Sequence, residues 1–196
     1  MRMVKVEPTS VMGVPCTDIV CVDTETTGFR AGRPLVGASP LSLRQDGDAD
    51  ELLQVSVVRG DYSVVFDEYI RPSRHTSWDA AERVHHITPE RVAHCHRIEG
   101  MRRRISRALD ARMVVGYNVG FDVRFLNAAG IAVPAGAEVV DVMQVYRRAQ
   151  RQKRQVRLTD ACAAFGIEFD AHDSLADSRA TLALLYALVR TGRVGA

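Results

Sequence analysis

Lysine is almost missing from this chain: of 26 cationic side chains only Lys5 and Lys153 are lysines, and arginine carries the rest. Cysteine is sparse as well. Cys16, Cys21, Cys95 and Cys162 form no C-x-x-C pair, which argues against a disulfide framework and for reduced thiols, so a cytoplasmic setting is expected. No apolar run approaches the length of a membrane span, and Met1 to Pro15 holds no apolar signal core. Charge of one sign is lacking too: 24 acids leave a formal net charge of +2, so no global basic field announces a nucleic-acid partner. No internal repeat appears. The 196 residues suit one domain able to bury its own core.

What is present starts at Asp23-Thr24-Glu25-Thr26-Thr27-Gly28, directly after the apolar run Ile19-Val20-Cys21-Val22. Side chains alternate along a strand, so Asp23 and Glu25 share a face. Two like charges at the end of a buried strand are costly without a counter-charge, and no Lys or Arg follows until Arg30. A divalent cation with hard oxygen ligands, Mg²⁺ or Mn²⁺, fits that need better than zinc; solvated acids at a surface strand end are the alternative.

The remaining pattern alternates strands and helices. Residues 1–17 read as a loose leader, 18–192 as a single domain and 193–196 as a tail. The stretch 29–50, rich in Gly, Pro, Arg and Asp, reads as a long loop insertion. Leu52–Arg59 and Ser63–Ile70 flank Gly60-Asp61 as a hairpin. Thr88-Pro89-Glu90 opens a helix with Thr as its cap. Glu99–Leu109 is an amphipathic helix. Met113–Tyr117 and Glu138–Val142 are short apolar strands, each followed by a helix, over Phe121–Ala129 and Val142–Gln150. Leu158–Phe165 and Ser174–Leu188 complete the set. The order predicts a three-layer α/β domain on a mixed sheet.

Two further patches fall at strand–helix junctions. Asn118-Val119-Gly120-Phe121-Asp122 lies where a strand stops and a helix begins, the ligand-facing rim of an open α/β sheet. His172-Asp173-Ser174-Leu175-Ala176-Asp177 leads into the last helix. Taken singly, Asp122 and Asp177 read as acids complementing helix dipoles, and His172 as a cap or surface residue.

Together, Asp-x-Glu, Asn-x-x-Phe-Asp and His-x-x-x-x-Asp in this order resemble the DEDDh family of 3′→5′ exonucleases. The first motif looks most like the epsilon proofreading subunit of bacterial DNA polymerase III and its stand-alone relatives. Val84-His85-His86-Ile87-Thr88-Pro89-Glu90 is similar to the family's His-Gly-Ile-Thr segment, and Asp141-Val142-Met143 follows the last strand. The resemblance covers about Asp18 to Leu188. It implies a ribonuclease-H-like three-layer fold with a mixed five-stranded sheet flanked by helices. It further implies an acidic site of Asp23, Glu25, Asp122 and Asp177 holding two divalent cations, Mg²⁺ or Mn²⁺, with His172 as general base. Thr26, with Thr27 and Gly28 beside it, would hold the terminal 3′-hydroxyl. Phe29 stands where the family wedges an apolar residue against the terminal bases, and His85 and Asn118 match groove positions. Three departures stand out: His86 replaces the usual Gly, Ser174 a commoner Ala, and Gln54 a frequent Glu.

The resemblance implies release of nucleoside monophosphates from 3′ ends, single-stranded or frayed, with DNA as the expected substrate. RNA trimming, as in oligoribonuclease or ribonuclease T, is the alternative, and a non-catalytic nucleic-acid-binding domain is a third reading. Two dications about 3.5–4 Å apart would neutralise the phosphoryl oxygens and assist the nucleophile and the leaving oxygen. The chain stops at Ala196, soon after the last helix, so a polymerase tether is not expected and a free-standing repair or nucleotide-salvage exonuclease is favoured. Arg147–Arg157 holds six cations and no acid; it reads as a solvated surface or as a phosphate track. His94-Cys95-His96 lacks a second ligand pair and does not read as zinc-binding.

Overall fold

The computed structural model describes residues 8–32 and 48–192; most of the 29–50 loop, residues 1–7 of the leader and the 193–196 tail lie outside them. At the centre is β3 (Ile19–Thr26), whose buried apolar run Ile19 to Val22 leads directly into the paired acids. β4 (Leu52–Arg59) and β5 (Val64–Tyr69) add on one side as an antiparallel hairpin. β6 (Met113–Gly116) and β7 (Glu138–Asp141) add on the other side, parallel to β3. The mixed five-stranded order is β5-β4-β3-β6-β7, which matches the expected fold class.

Alternation along β3 divides the core in two. Ile19 and Cys21 pack with Met113 and Val115 against α5 (Val142–Ala149), α6 (Leu158–Ala163) and α7 (Ser174–Arg190). Val20 and Val22 pack with Val55, Val57 and Val114 against α3 (Ile98–Ala108) and α4 (Gly120–Ala128). The buried stripe of the expected amphipathic helix α3 is Met101, Ile105 and Ala108. A third cluster of Leu53, Trp78, Ile87 and Val92 sits beneath α1 (Asp79–His85) and α2 (Pro89–Val92), where the Trp78 indole donates to the Ile87 carbonyl at 2.7 Å.

Two expectations change. Residues 8–17 are not a loose leader: β1 (Ser10–Val11) and β2 (Val14–Pro15) form a small hairpin, and Val11 is fully buried in the α5–α7 layer. The pull is hydrophobic, because Val11 and Val14 cover the end of that layer. Helix α1 is absent from the expected pattern, since its seven residues after Trp78 make only about two turns and show little periodicity. Among the described residues no helix is long and apolar enough to cross a membrane.

The topology builds a crevice. β6 pairs with β3 only as far as Val115 opposite Cys21, whereas β3 runs on to Thr26. A side chain at Gly116 would lie 2.8 Å from the Val22 carbonyl and 2.9 Å from Val119, so the missing Cβ lets the chain turn away tightly there. The first turn of α4 thereby meets the free end of β3, at the carboxyl rim where such sheets place ligands.

Candidate active site

Period-two geometry carries the core logic of β3 into the site. Asp23 and Glu25 continue the Ile19–Cys21 face, towards α7, and Thr24 and Thr26 continue the Val20–Val22 face, towards α4. Asp177, in the first turn of α7, completes the first group: one carboxylate oxygen from each of Asp23, Glu25 and Asp177 lies within 4.8 Å of the others. Asp122, buried in the first turn of α4, approaches from the opposite face, where the Thr24 hydroxyl donates to its Oδ1 at 2.8 Å. The structure therefore brings all four acids to one strand end, and three of them into mutual ligand range.

Their electrostatics are unfavourable without a counter-ion. Burial, followed by the charges of Asp122, Asp177 and Glu25, holds the Asp23 carboxyl well above the usual carboxylate range. Burial and then Asp177 push Glu25 up to about 8. Burial raises Asp122 to about 7 against the opposing Thr24 hydrogen bond, and raises Asp177 to about 7 against the His172 amide. Among the described residues no cationic side chain comes within ion-pair distance of any of the four. A converging set of hard oxygen donors with no protein cation fits divalent ions of the magnesium or manganese type.

His172 sits on the loop into α7 with φ at 70°, exposed, and its backbone N–H donates to Asp177 Oδ1 at 3.3 Å. It is this amide, not the imidazole, that touches the cluster. Asp173 caps α7 by accepting from the Ala176 N–H at 3.0 Å, which fixes where Asp177 enters the helix.

Beside the acids, Thr26-Thr27-Gly28-Phe29 forms a tight turn. The Thr26 hydroxyl donates to the Gly28 carbonyl at 2.5 Å. Asp50 holds the turn from below, accepting from the Thr27 hydroxyl at 3.1 Å and from the Arg30 N–H at 2.8 Å. Thr27 Oγ1 accepts in turn from the Glu51 N–H at 2.9 Å. A side chain at Gly28 would lie 2.6 Å from the Asp50 carboxylate, so it could be admitted only by displacing that carboxylate from its bonds to Thr27 and Arg30. Among the described residues Phe29 is the most exposed large apolar one, at 88 % of its surface, with Phe121 edge-on at 6.2 Å between centroids.

His85 and Asn118 part company. Asn118 is exposed, in the left-handed region at φ 59°, and its N–H donates to Asp141 Oδ1 at 2.9 Å. His85 is buried and occupied on both ring nitrogens. Its Nδ1 accepts from the Ile87 N–H at 3.0 Å, which leaves Nε2–H to donate to the Thr26 carbonyl at 3.2 Å. Burial lowers its pKa, and the neutral ring braces the turn from behind.

The departures acquire reasons. His86 adopts φ 57°, the left-handed region glycine enters freely, so the loop keeps that backbone despite the side chain. Ser174 is fully buried with its Oγ 2.5 Å from Ser56 Oγ, and Ser56 donates to Asp67 at 2.8 Å, so the hydroxyl ties α7 to β4. Gln54, beside Glu25 in register, donates to the same Asp67 at 3.1 Å. Sequence reasoning missed Thr24, Asp50 and Glu51. Thr24 was detectable from its parity with Asp122's side of the strand; Asp50 contacts a turn 23 residues away and left no local signal.

Comparisons with known proteins agree with this architecture. RNA exonuclease 4 of Aspergillus fumigatus is 28% identical over 160 residues, covering 78% of this chain and 47% of that protein, so the chain spans about half the length of that curated relative. Among solved structures, Exonuclease X in complex with 5′ overhanging duplex DNA aligns with TM-score 0.64 at 22% identity, over 88% of this chain and 92% of the other. A 3′-exonuclease in 3′-end-specific recognition of a histone mRNA stem-loop aligns with TM-score 0.61 at 15% identity, over 90% and 83%. Residues 20–185 match the family described as Exonuclease (RNase_T), and the chain belongs to that family.

Proposed function

We propose that this chain is a metal-dependent 3′→5′ exonuclease of the DEDDh type, releasing nucleoside monophosphates from single-stranded or frayed ends. The observation that carries the reading is the convergence of Asp23, Glu25 and Asp177 oxygens at the end of the central strand, with Asp122 against them. Asp23, Glu25, Asp122 and Asp177 would hold the divalent ions. When bound, such ions neutralise the phosphoryl oxygens, favour ionisation of the attacking water and stabilise the departing 3′-oxygen.

The protein's own part is placement and proton transfer. The turn Thr26-Thr27-Gly28, braced by His85 and Asp50, would hold the terminal 3′-hydroxyl through its backbone. Phe29 offers an exposed ring for the terminal base. Asn118 leaves its side-chain amide open towards the next nucleotide. In the step itself the water oxygen bonds to phosphorus, the bond from phosphorus to the upstream 3′-oxygen breaks, and the His172 imidazole takes the water's proton.

DNA is the first reading, because Asp23-Thr24-Glu25-Thr26-Thr27-Gly28 resembles the epsilon motif. RNA is the second, favoured by the relative named as an RNA exonuclease. Matched 5′-labelled DNA and RNA oligomers with Mg²⁺ or Mn²⁺ decide between them. A stepwise ladder on DNA supports the first and a ladder on RNA alone the second; no cleavage of either removes the enzyme reading.

A further inference from the structure

We propose that the segment Arg147–Arg157 is a track for a phosphodiester backbone, holding the strand upstream of the 3′ end. The inference rests on the exonuclease reading for what the track serves, but it stands on its own observations. The segment carries six cations, Arg147, Arg148, Arg151, Lys153, Arg154 and Arg157, and no acid occurs between Asp141 and Asp160. Without it, the formal charge of +2 for the whole chain would be negative. The segment is thus a local run of positive charge with no acid of its own to offset it.

Five of the six side chains are exposed, and none of the five makes an ion pair among the described residues. That differs from α3, where Arg102 pairs with Glu99 and Arg104 with Glu68. A surface built for solubility alone interleaves both signs; here five unpaired cations stand together. Arginine predominates, and its planar fork matches phosphate oxygens where lysine offers only a point charge.

The segment is also ordered before any ligand arrives. Beyond the end of α5 the chain folds back, with the Gln152 N–H bonded to the Arg147 carbonyl at 2.8 Å. Arg147 spends its guanidinium on the segment itself, donating to Gln144 at 2.9 Å and to the Lys153 carbonyl at 2.7 Å. Arg151 takes the left-handed conformation at φ 53°. This clamp turns Arg148, Arg151, Lys153 and Arg154 outwards in a fixed loop, which lowers the ordering cost of binding.

Its position joins it to the site. The Tyr117 hydroxyl donates to the Val156 carbonyl at 2.7 Å, anchoring the loop's end beside Asn118. On the same rim Asp141, the cap of α5, holds the Asn118 N–H. A strand whose terminal nucleotide sits at Thr26 and Asn118 would therefore leave the acids towards Arg157 and Arg154. From Arg148 to Arg157 the chain reaches at most about 30 Å, room for several nucleotides.

The test compares wild type with the triple variant Arg148→Gln, Arg151→Gln, Arg154→Gln. A control loses equal charge elsewhere, through Arg97→Gln, Arg103→Gln and Arg107→Gln on or beside α3. Fluorescence anisotropy reads the affinity for a labelled single-stranded oligomer with Ca²⁺ across a KCl series. Hydrolysis of the p-nitrophenyl ester of thymidine 5′-monophosphate reads the acids alone, since that substrate is too short to reach the track. The expected result is about tenfold or greater loss of oligomer affinity in the track variant, with a log–log salt slope shallower by about 2. The ester is hydrolysed unchanged and the control binds like wild type. Unchanged oligomer affinity and salt slope in the track variant overturn the proposal and leave the surface to another acidic ligand; equal losses in variant and control overturn it as well. If wild type binds the oligomer with the steep slope yet cleaves neither ester nor oligomer, the track stands and the exonuclease reading fails.

Discussion

The Thr24 hydroxyl donates to Asp122 Oδ1 at 2.8 Å from the face of β3 opposite to Asp23 and Glu25. One strand thus aims carboxylates one way and, between them, a hydroxyl the other way to hold the fourth acid. Thr24→Val keeps the shape and removes the donor. Leaving Asp122 without it costs about 1–3 kcal/mol of stability. The loss should be larger at alkaline pH, where Asp122 is ionised, than at pH 5. Because that hydrogen bond opposes the rise of Asp122 to about 7 in the metal-free site, protons should compete with the metal to higher pH in the variant, and the rising limb of the pH–rate profile at limiting metal should move up with them. Guanidinium unfolding at two pH values and a pH–rate profile in Mg²⁺ check both expectations.

Metal and pH should be linked in the fold's stability. Glu25 rises to about 8 and Asp122 and Asp177 to about 7, all above their unfolded values. The folded state therefore binds more protons than the unfolded chain from about pH 4 to about pH 8. Stability from these groups is complete below that window and is lost as pH rises through it. Divalent ions replace the protons, so they should stabilise most at the alkaline end. Thermal melts in EDTA and in excess Mg²⁺ across this range should diverge as pH rises; identical curves would contradict the linkage.

His172 should affect turnover and not metal affinity, because its contact with the cluster is the backbone N–H to Asp177. Its φ of 70° makes alanine a poor probe, mixing backbone strain with chemistry. Asparagine tolerates the left-handed region. His172→Asn should lower kcat by about 10²–10⁴, the usual contribution of a general base, with Mn²⁺ binding unchanged by calorimetry.

Asp50 should position the Thr26–Gly28 turn, which is proposed to hold the nucleotide, without joining the chemistry. Asp50→Ala removes the acceptor of both the Thr27 hydroxyl and the Arg30 N–H. KM for an oligomer should rise about tenfold, the factor given by roughly 1.4 kcal/mol, with kcat little changed. Faster amide exchange at residues 27–31 would show that the turn itself has loosened.

How much the sequence disclosed follows from the range of each interaction. The mixed sheet and its helices were legible because the apolar run of β3, the hairpin around Gly60-Asp61 and the amphipathic pattern of α3 are local signals. The acids were legible only as a set: Asp122 and Asp177 each pass for dipole-complementing residues until Asp23 and Glu25 stand beside them. What stayed hidden depends on contacts distant in sequence. The burial of Val11 and the grip of Asp50 on Thr27 leave no periodicity to read. His85 carried a recognisable motif, yet its neutral, buried role behind Thr26 needed the hydrogen bonds at both ring nitrogens.

The central claim is that the acids at the end of β3 form one divalent-metal centre. Calorimetric titration of Mn²⁺ into wild type and Asp23→Asn, whose side chain is nearly isosteric, tests it most directly. The account predicts binding in wild type and a loss of at least about tenfold in affinity in the variant, together with loss of nuclease activity. Equal Mn²⁺ affinity in the two proteins would contradict it.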